Sequence, residues 1–235
     1  RKMKTSPVCW AIIPASGVGQ RMASSIPKQY LKIQDKTILE HASEALLQNI
    51  QVKHVVYALN SEDVYFSQLS FNNEHKIRSV VGGSTRAHSV LNALESIKDE
   101  IGSDDFVLVH DAARPCLPVS DLDKLIEVCL AHDVGGILAA PATDTIKQVQ
   151  ANKITNTLDR NIIWCAFTPQ MFKFKILYEA IKQAFTDNIA VTDEASAVEY
   201  AGYQPCVVEG SIRNIKVTSP GDVAIAEMYI NSREL

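Results

Sequence analysis

The chain has 235 residues, 46% hydrophobic and 21% charged, with a formal net charge of -4. That length and balance suit one large α/β domain and exclude a disordered chain, and the mild negative charge argues against a broad nucleic-acid or membrane surface. Five scattered cysteines without a C-x-x-C pair suit a reducing cytoplasm, not a disulfide scaffold or a zinc site; no apolar run is long enough to span a membrane.

In chain order, Val8 to Ile13 is a short apolar run that reads as a buried first strand. It opens into Pro14-Ala15-Ser16-Gly17-Val18-Gly19-Gln20-Arg21-Met22, then Pro27-Lys28-Gln29-Tyr30. Gly17 and Gly19 let backbone N–H groups approach phosphate oxygens, and Arg21 and Lys28 add positive charge to the same bend. Alone, the Gly-x-Gly pair is equally a tight turn. Met22 stands where a dinucleotide fingerprint wants a third small residue, and no P-loop signature occurs, so the pattern points to a nucleotidyltransferase.

Thr37-x-x-Glu40 has capping-box form and opens a helix with Ile38, Leu39, Ala42, Ala45 and Leu46 on one face. Val52 to Leu59 reads as a second strand and Ile77 to Val81 as a third ending at Gly82-Gly83; a helix then turns Val90, Leu91, Leu94 and Ile97 inward. Phe106 to Val109 is a fourth strand running into His110-Asp111, Ser120-x-x-Asp123 caps a further helix, and Gly135 to Pro141 is a fifth strand. Ser219-Pro220-Gly221-Asp222 starts a last helix, with Pro at its first position. The alternation predicts a Rossmann-like, mostly parallel twisted sheet with helices on both faces, in a single domain over residues 1–235.

Residues 144–161 break the rhythm. Ile146, Val149, Ile154 and Leu158 alternate with polar residues around Ala151-Asn152, the pattern of a two-stranded hairpin leaving the sheet. Such a hairpin needs something to pack on, a second copy of the chain or the body of its own domain. A β-arm that dimerises the protein is the expectation.

Ligands of open α/β sheets bind beyond the carboxyl ends of the strands. Gly17, Gly19, Arg21 and Lys28 gather there after the first strand, Gly82, Gly83, Arg86 and Ser89 after the third, and Asp111 to Arg114 after the fourth. Asp111 could bind Mg2+ together with ligand phosphates, or cap a turn. His110 is expected to satisfy a hydrogen bond in the core.

The joint series resembles the motifs of the 2-C-methyl-D-erythritol 4-phosphate cytidylyltransferase family. The resemblance is carried by the glycine loop and Pro27-Lys28-Gln29-Tyr30, then Val109-His110-Asp111-Ala112-Ala113-Arg114-Pro115, Asp144-Thr145-Ile146-Lys147 and Asp159-Arg160. Thr168-Pro169-Gln170, Thr192-Asp193-Glu194-Ala195-Ser196 and Asn214-Ile215-Lys216-Val217-Thr218 complete the order. The resemblance implies transfer of a cytidylyl group from CTP to 2-C-methyl-D-erythritol 4-phosphate in non-mevalonate isoprenoid precursor biosynthesis, with Mg2+, in a cytoplasmic homodimer. It implies Arg21, Lys28 and Lys216 as catalytic. Pro14, Ala15, Ser16, Gly17, Gly19, Gly82, Ser84, Ser89, Asp111 and Ala112 would bind CTP, with Asp111 near the metal. Arg114, Thr145, Arg160, Thr168 and Thr192 would bind the acceptor, Thr145 and Arg160 reaching from the arm into the neighbouring subunit. Ser84 brings no carboxylate to the cytosine amino group. The other readings are a cytidylyltransferase for another polyol phosphate, such as ribitol 5-phosphate, and a non-catalytic nucleotide-binding regulator.

Overall fold

A computed structural model describes residues 7–17 and 26–232. Gly19 and Arg21 lie outside the described residues. In chain order the elements are β1 (Cys9–Ala15), β2 (Lys32–Ile33), β3 (Lys36–Thr37), α1 (Ile38–Gln48), β4 (Val52–Leu59), β5 (Ile77–Val81), α2 (Arg86–Ile97) and β6 (Phe106–Val109). They continue with α3 (Val119–Leu130), β7 (Gly135–Pro141), β8 (Ile146–Gln150), β9 (Lys153–Leu158), β10 (Trp164–Lys173), α4 (Phe174–Thr186), α5 (Glu194–Tyr200), β11 (Cys206–Glu209) and α6 (Pro220–Asn231).

Seven strands form the main sheet in the order β11-β7-β10-β6-β1-β4-β5. β6, β1, β4 and β5 pair in parallel, as do β11 and β7, and β10 runs antiparallel between the two groups. β1 shows why its sequence is apolar without alternation: Cys9, Ala11, Ile13 and Ala15 enter one core, Trp10 and Ile12 the other. The first core holds Leu39 and Leu46 of α1 with Leu122, Leu125 and Ile126 of α3; the second holds Val90 and Leu94 of α2 with Leu177 and Ile181 of α4. Helices therefore cover both faces, as expected. A third cluster seats α6 through Ala226 and Ile230 against Ile33, Ile38, Cys116 and Val217.

The Thr37/Glu40 capping box is present: Thr37 Oγ1 accepts from Glu40 N at 3.2 Å, and Glu40 Oε2 accepts from Thr37 N at 2.7 Å. The cap expected at Ser120 is not. α3 starts earlier, with Pro118 as N-cap, because the Pro118 carbonyl already accepts from the Asp121 and Leu122 N–H groups, which places Ser120 inside the first turn. β1 also runs past Ile13, since its parallel register with β4 continues through Pro14 opposite Ala58 and Ala15 opposite Leu59.

β8 and β9 form the expected hairpin, and Ala151 and Asn152 turn it with φ of 48° and 61°. Those left-handed values belong to a two-residue turn whose twist matches the strands. Val149 and Ile154 stay exposed on the arm, so folding back over its own domain is not what this hairpin does.

Candidate active site

The carboxyl ends of β1, β5 and β6 open on one cavity of about 890 Å3. Its walls include Pro14, Ala15, Ser16, Gly17 and Lys28 on one side, and Ser84, Arg86, Asp111, Ala112 and Lys216 on the other. The sequence is thus brought together from four distant segments.

The loop after β1 is held from behind. Gln29, buried in the short turn Lys28–Tyr30, donates its side-chain amide to Ala15 O at 2.8 Å and Gly17 O at 3.1 Å. Those two bonds take up the Ala15 and Gly17 carbonyls and anchor the loop against the turn. Ser16 Oγ lies 2.7 Å from Ser89 Oγ, and Ser89 Oγ also accepts from Gly83 N at 3.0 Å. Ser89 is fully buried and joins the two loops. Gly82 is required by that closeness, since a Cβ there would lie 2.7 Å from Ser16 Cβ and 2.9 Å from Ser89 Oγ.

Asp111 stands at the centre of the opposite wall, 7% exposed. Its Oδ1 is 2.8 Å from Arg86 Nε, and its Oδ2 is 2.9 Å from Lys216 Nζ and 3.6 Å from Arg114 Nε. Burial would raise this carboxyl, but Arg86, then Lys216 and Arg114, override it and hold the group well below the usual carboxylate range. Lys216 is fixed through its neighbours: Val217 N donates to Ala113 O at 2.8 Å, and Arg114 Nη1 donates to Asn214 O at 2.6 Å. Its own side chain is 41% exposed and projects into the cavity.

Below Asp111 runs a buried chain of hydrogen bonds. Asp111 N donates to Thr168 Oγ1 at 2.9 Å, Thr168 Oγ1 lies 2.9 Å from His110 Nδ1, and His110 Nε2 lies 3.1 Å from Arg114 O. A carbonyl only accepts, so Nε2 carries the imidazole proton and Nδ1 accepts from the threonine. Burial lowers the His110 pKa to about 4, which keeps the ring neutral. His110 is therefore a core residue, as its place in the sequence suggested.

Thr168 sits beneath the site rather than on its surface. Arg114 packs over the Phe167 ring, 5.3 Å from its centroid, and burial lowers its pKa against the opposing pull of Asp111. Thr192 is exposed, with its N–H donating to Ser196 Oγ at 3.1 Å. Thr145 and Arg160 lie at the base of the arm, exposed and outside this cavity; Arg160 Nη1 donates to Thr143 O at 2.7 Å.

The sequence reading did not single out Gln29, Asn60, Thr218 or Glu194 as site residues. Gln29 and Asn60 are ordinary loop amides whose partners lie in other segments. Glu194 offered a faint signal, a carboxylate beside Asp193 at the start of α5. Its partner Arg86 offered another, because a cation in the first turn of a helix opposes the helix dipole and calls for an anion nearby.

A family model described as 2-C-methyl-D-erythritol 4-phosphate cytidylyltransferase (IspD) matches residues 9–232. The chain is 50% identical over 220 residues to the protein of that name from Actinobacillus pleuropneumoniae serotype 7 (strain AP76), covering 94% of this chain and 95% of that one. It is 48% identical over 224 residues to that of Vibrio atlanticus (strain LGP32), covering 95% and 96%. Among solved structures, the Francisella tularensis 2-C-methyl-D-erythritol 4-phosphate cytidylyltransferase superposes with a TM-score of 0.82 at 39% identity, over 94% of this chain and 99% of that one. A 4-diphosphocytidyl-2C-methyl-D-erythritol synthase does so with a TM-score of 0.83 at 36% identity, over 97% and 100%.

Proposed function

The chain belongs to the 2-C-methyl-D-erythritol 4-phosphate cytidylyltransferase family, and from that membership we propose how its cavity carries the reaction. The enzyme transfers the cytidylyl group of CTP to 2-C-methyl-D-erythritol 4-phosphate, giving 4-diphosphocytidyl-2-C-methyl-D-erythritol and pyrophosphate for isoprenoid biosynthesis. The observation that carries the assignment of roles is one cavity in which a backbone loop, Pro14 to Gly17, faces the Asp111–Lys216 pair.

The attacking group is a phosphate monoester whose second pKa is near 6, so it is largely a dianion at neutral pH and needs no general base. What opposes reaction is the meeting of two strongly anionic groups. Catalysis then consists of positioning and electrostatic stabilisation. The loop from Pro14 to Gly17, with Lys28 beside it, takes the triphosphate; Ser84 faces the base; Lys216 meets the α-phosphate as the new bond forms and the pyrophosphate oxygen leaves. Arg21 and Gly19 complete the loop's role in this reading.

A Mg2+ ion fits the donor set as a companion of the triphosphate. Mg2+ uses one or two carboxylates and fills its shell with phosphates and water. Among the described residues, Asp111 is the one carboxylate lining the cavity, and no cluster of three or more His, Cys, Asp or Glu could hold an ion alone. The triphosphate would hold most of its shell, with Asp111, whose oxygens already pair with Arg86 and Lys216, beside it, and it would supply charge neutralisation on the phosphate oxygens.

In this reading the protein is a cytoplasmic homodimer, with the arm of β8 and β9 bringing Thr145 and Arg160 to the acceptor site of the second copy. Arg114, Thr168 and Thr192 shape the same acceptor side. The exposure of Val149, Ile154 and Ile162 supports that packing. The test is pyrophosphate release by the purified protein with Mg2+ and CTP, comparing 2-C-methyl-D-erythritol 4-phosphate, ribitol 5-phosphate and no acceptor. Release with the first alone is expected; release only with ribitol 5-phosphate would overturn the acceptor, and none with either would overturn the transferase reading.

A further inference from the structure

Glu194 is a buried carboxylate that the reaction described above does not use. It is 1% exposed and forms no part of the cavity wall. Both its oxygens face Arg86: Nη1 donates to Oε1 at 2.7 Å and Nη2 to Oε2 at 3.1 Å. The remaining edge of the same guanidinium donates from Nε to Asp111 Oδ1 at 2.8 Å. Asp111 Oδ2 in turn holds Lys216 Nζ at 2.9 Å. Four charged side chains from α5, α2, the tip of β6 and the segment before α6 thus stand in one line.

We propose that Glu194 is a positioning residue for the transfer, acting through Arg86 to fix the Asp111 carboxylate so that its second oxygen aims Lys216 across the cavity. The proposal rests on the transferase reading, in which Lys216 meets the reacting phosphate.

Charge supplies the argument. Arg86, Arg114 and Lys216 all lie within 4 Å of Asp111. One carboxylate cannot hold three cations equally well. Glu194 takes the forked edge of Arg86 in the bidentate geometry that is the strongest form of this pair, so Arg86 reaches Asp111 as a partner already neutralised. Without the Glu194 charge, Arg86 competes for Asp111 in full. Lys216, on a flexible stem and more exposed than either arginine, is the cation that leaves for solvent.

Geometry supplies the rest. A planar guanidinium can hold one carboxylate on each of two edges and so transmit orientation, which a lysine ammonium cannot do. Glu194 itself is rigid: it is the first residue of α5, where Gln170 of β10 donates to Asp193 Oδ2 at 2.9 Å and accepts from Ala195 N at 2.9 Å. A site aimed by locked partners on secondary-structure elements keeps its geometry better than one on a free loop.

The experiment is a double-mutant cycle between Glu194→Gln and Lys216→Ala, read by steady-state kinetics with CTP and 2-C-methyl-D-erythritol 4-phosphate. Glu194→Gln alone should lower kcat by roughly tenfold with KM for CTP changed by less than about twofold. In the Lys216→Ala background the same substitution should change kcat by less than about twofold, because the residue through which it acts is gone. Arg86→Lys, which keeps the charge but not the two-edged bridge, should lower kcat comparably and serves if Glu194→Gln does not fold. Independently of turnover, Lys216 freed from Asp111 should be acylated by acetic anhydride several-fold faster in Glu194→Gln, as read by mass spectrometry.

Equal losses in both backgrounds would show that Glu194 acts independently of Lys216 and overturn the proposal, as would an Arg86→Lys protein with ordinary turnover. A native protein that releases pyrophosphate while Glu194→Gln keeps full kcat overturns this inference alone. A native protein that releases none overturns the transferase reading and this inference with it.

Discussion

Lys216 Nζ lies 2.9 Å from Asp111 Oδ2, so the lysine that projects into the cavity is held there by a buried carboxylate rather than waving in solvent. Truncating it should separate activity from folding. Lys216→Ala is expected to lower kcat by about a hundredfold, the scale of losing one transition-state donor, while stability changes by no more than about 1 kcal/mol because Arg86 and Arg114 still neutralise the Asp111 carboxylate. Steady-state kinetics and a thermal melt of the same sample check both halves. Lys28→Ala should behave alike.

Gln29 anchors the loop after β1. Gln29→Ala leaves the Ala15 and Gly17 carbonyls without their donor, which should cost about 1–3 kcal/mol of stability. The loop would relax, and KM for CTP should rise by about tenfold with a smaller change in KM for the acceptor. A CTP titration by calorimetry gives the affinity directly. Unchanged CTP affinity would show that the loop keeps its shape without this anchor.

The approach of Gly82 to Ser16 leaves no space for a methyl group. Gly82→Ala must push the two loops apart, at an overpacking cost of about 1–3 kcal/mol. CTP binding should weaken more than acceptor binding. A second substitution, Ser16→Gly, removes the nearest clash and should recover part of the loss.

His110 makes stability depend on pH. Its pKa is lowered by burial to about 4, while in the unfolded chain it is about 6.5. Between those values the unfolded state binds more protons, so stability is fully present above the unfolded pKa and falls as pH drops through the window, by on the order of 3 kcal/mol across it. Urea unfolding at pH 7, 5.5 and 4.5 should show the slope, and His110→Gln should flatten it. An equal slope in both proteins would assign the effect to other groups.

The arm gives a prediction for mixed dimers. If Arg160 serves the site of the second copy, Arg160→Ala and Lys216→Ala proteins, each of low activity, should regain activity when mixed and re-equilibrated. Random exchange makes about half the dimers mixed, each with one complete site, so about a quarter of native activity is expected. No recovery, with exchange confirmed by mass spectrometry, would place Arg160 in the site of its own chain.

Much of this was legible in the residues themselves. β1 and β6 showed as apolar runs because both their faces are buried, and the hairpin showed as alternation with Ala151-Asn152 at its turn because only pairing constrains it. The glycine loop, Lys28 and Asp111 were legible because their chemistry is local: small residues and charges at strand ends. β10 was not. Trp164, Cys165, Ala166 and Phe167 run without alternation, and Pro169 sits where the register with β7 shifts, so an antiparallel strand in mid-sheet carries no strand pattern of its own.

The sequence by itself thus determined the α/β class, the hairpin arm and the family, and it marked the glycine loop after the first strand. Only the tertiary structure decided which side chains act together. Glu194 and Arg86 are 108 positions apart in the chain, and Arg86 and Asp111 are 25 apart. Whether such charges meet depends on how α2, α5 and the tip of β6 converge, and the burial that strengthens their attraction exists only once both cores have closed. Periodicity and composition report which face a residue turns toward the core; they carry no information on which distant charge it will face there.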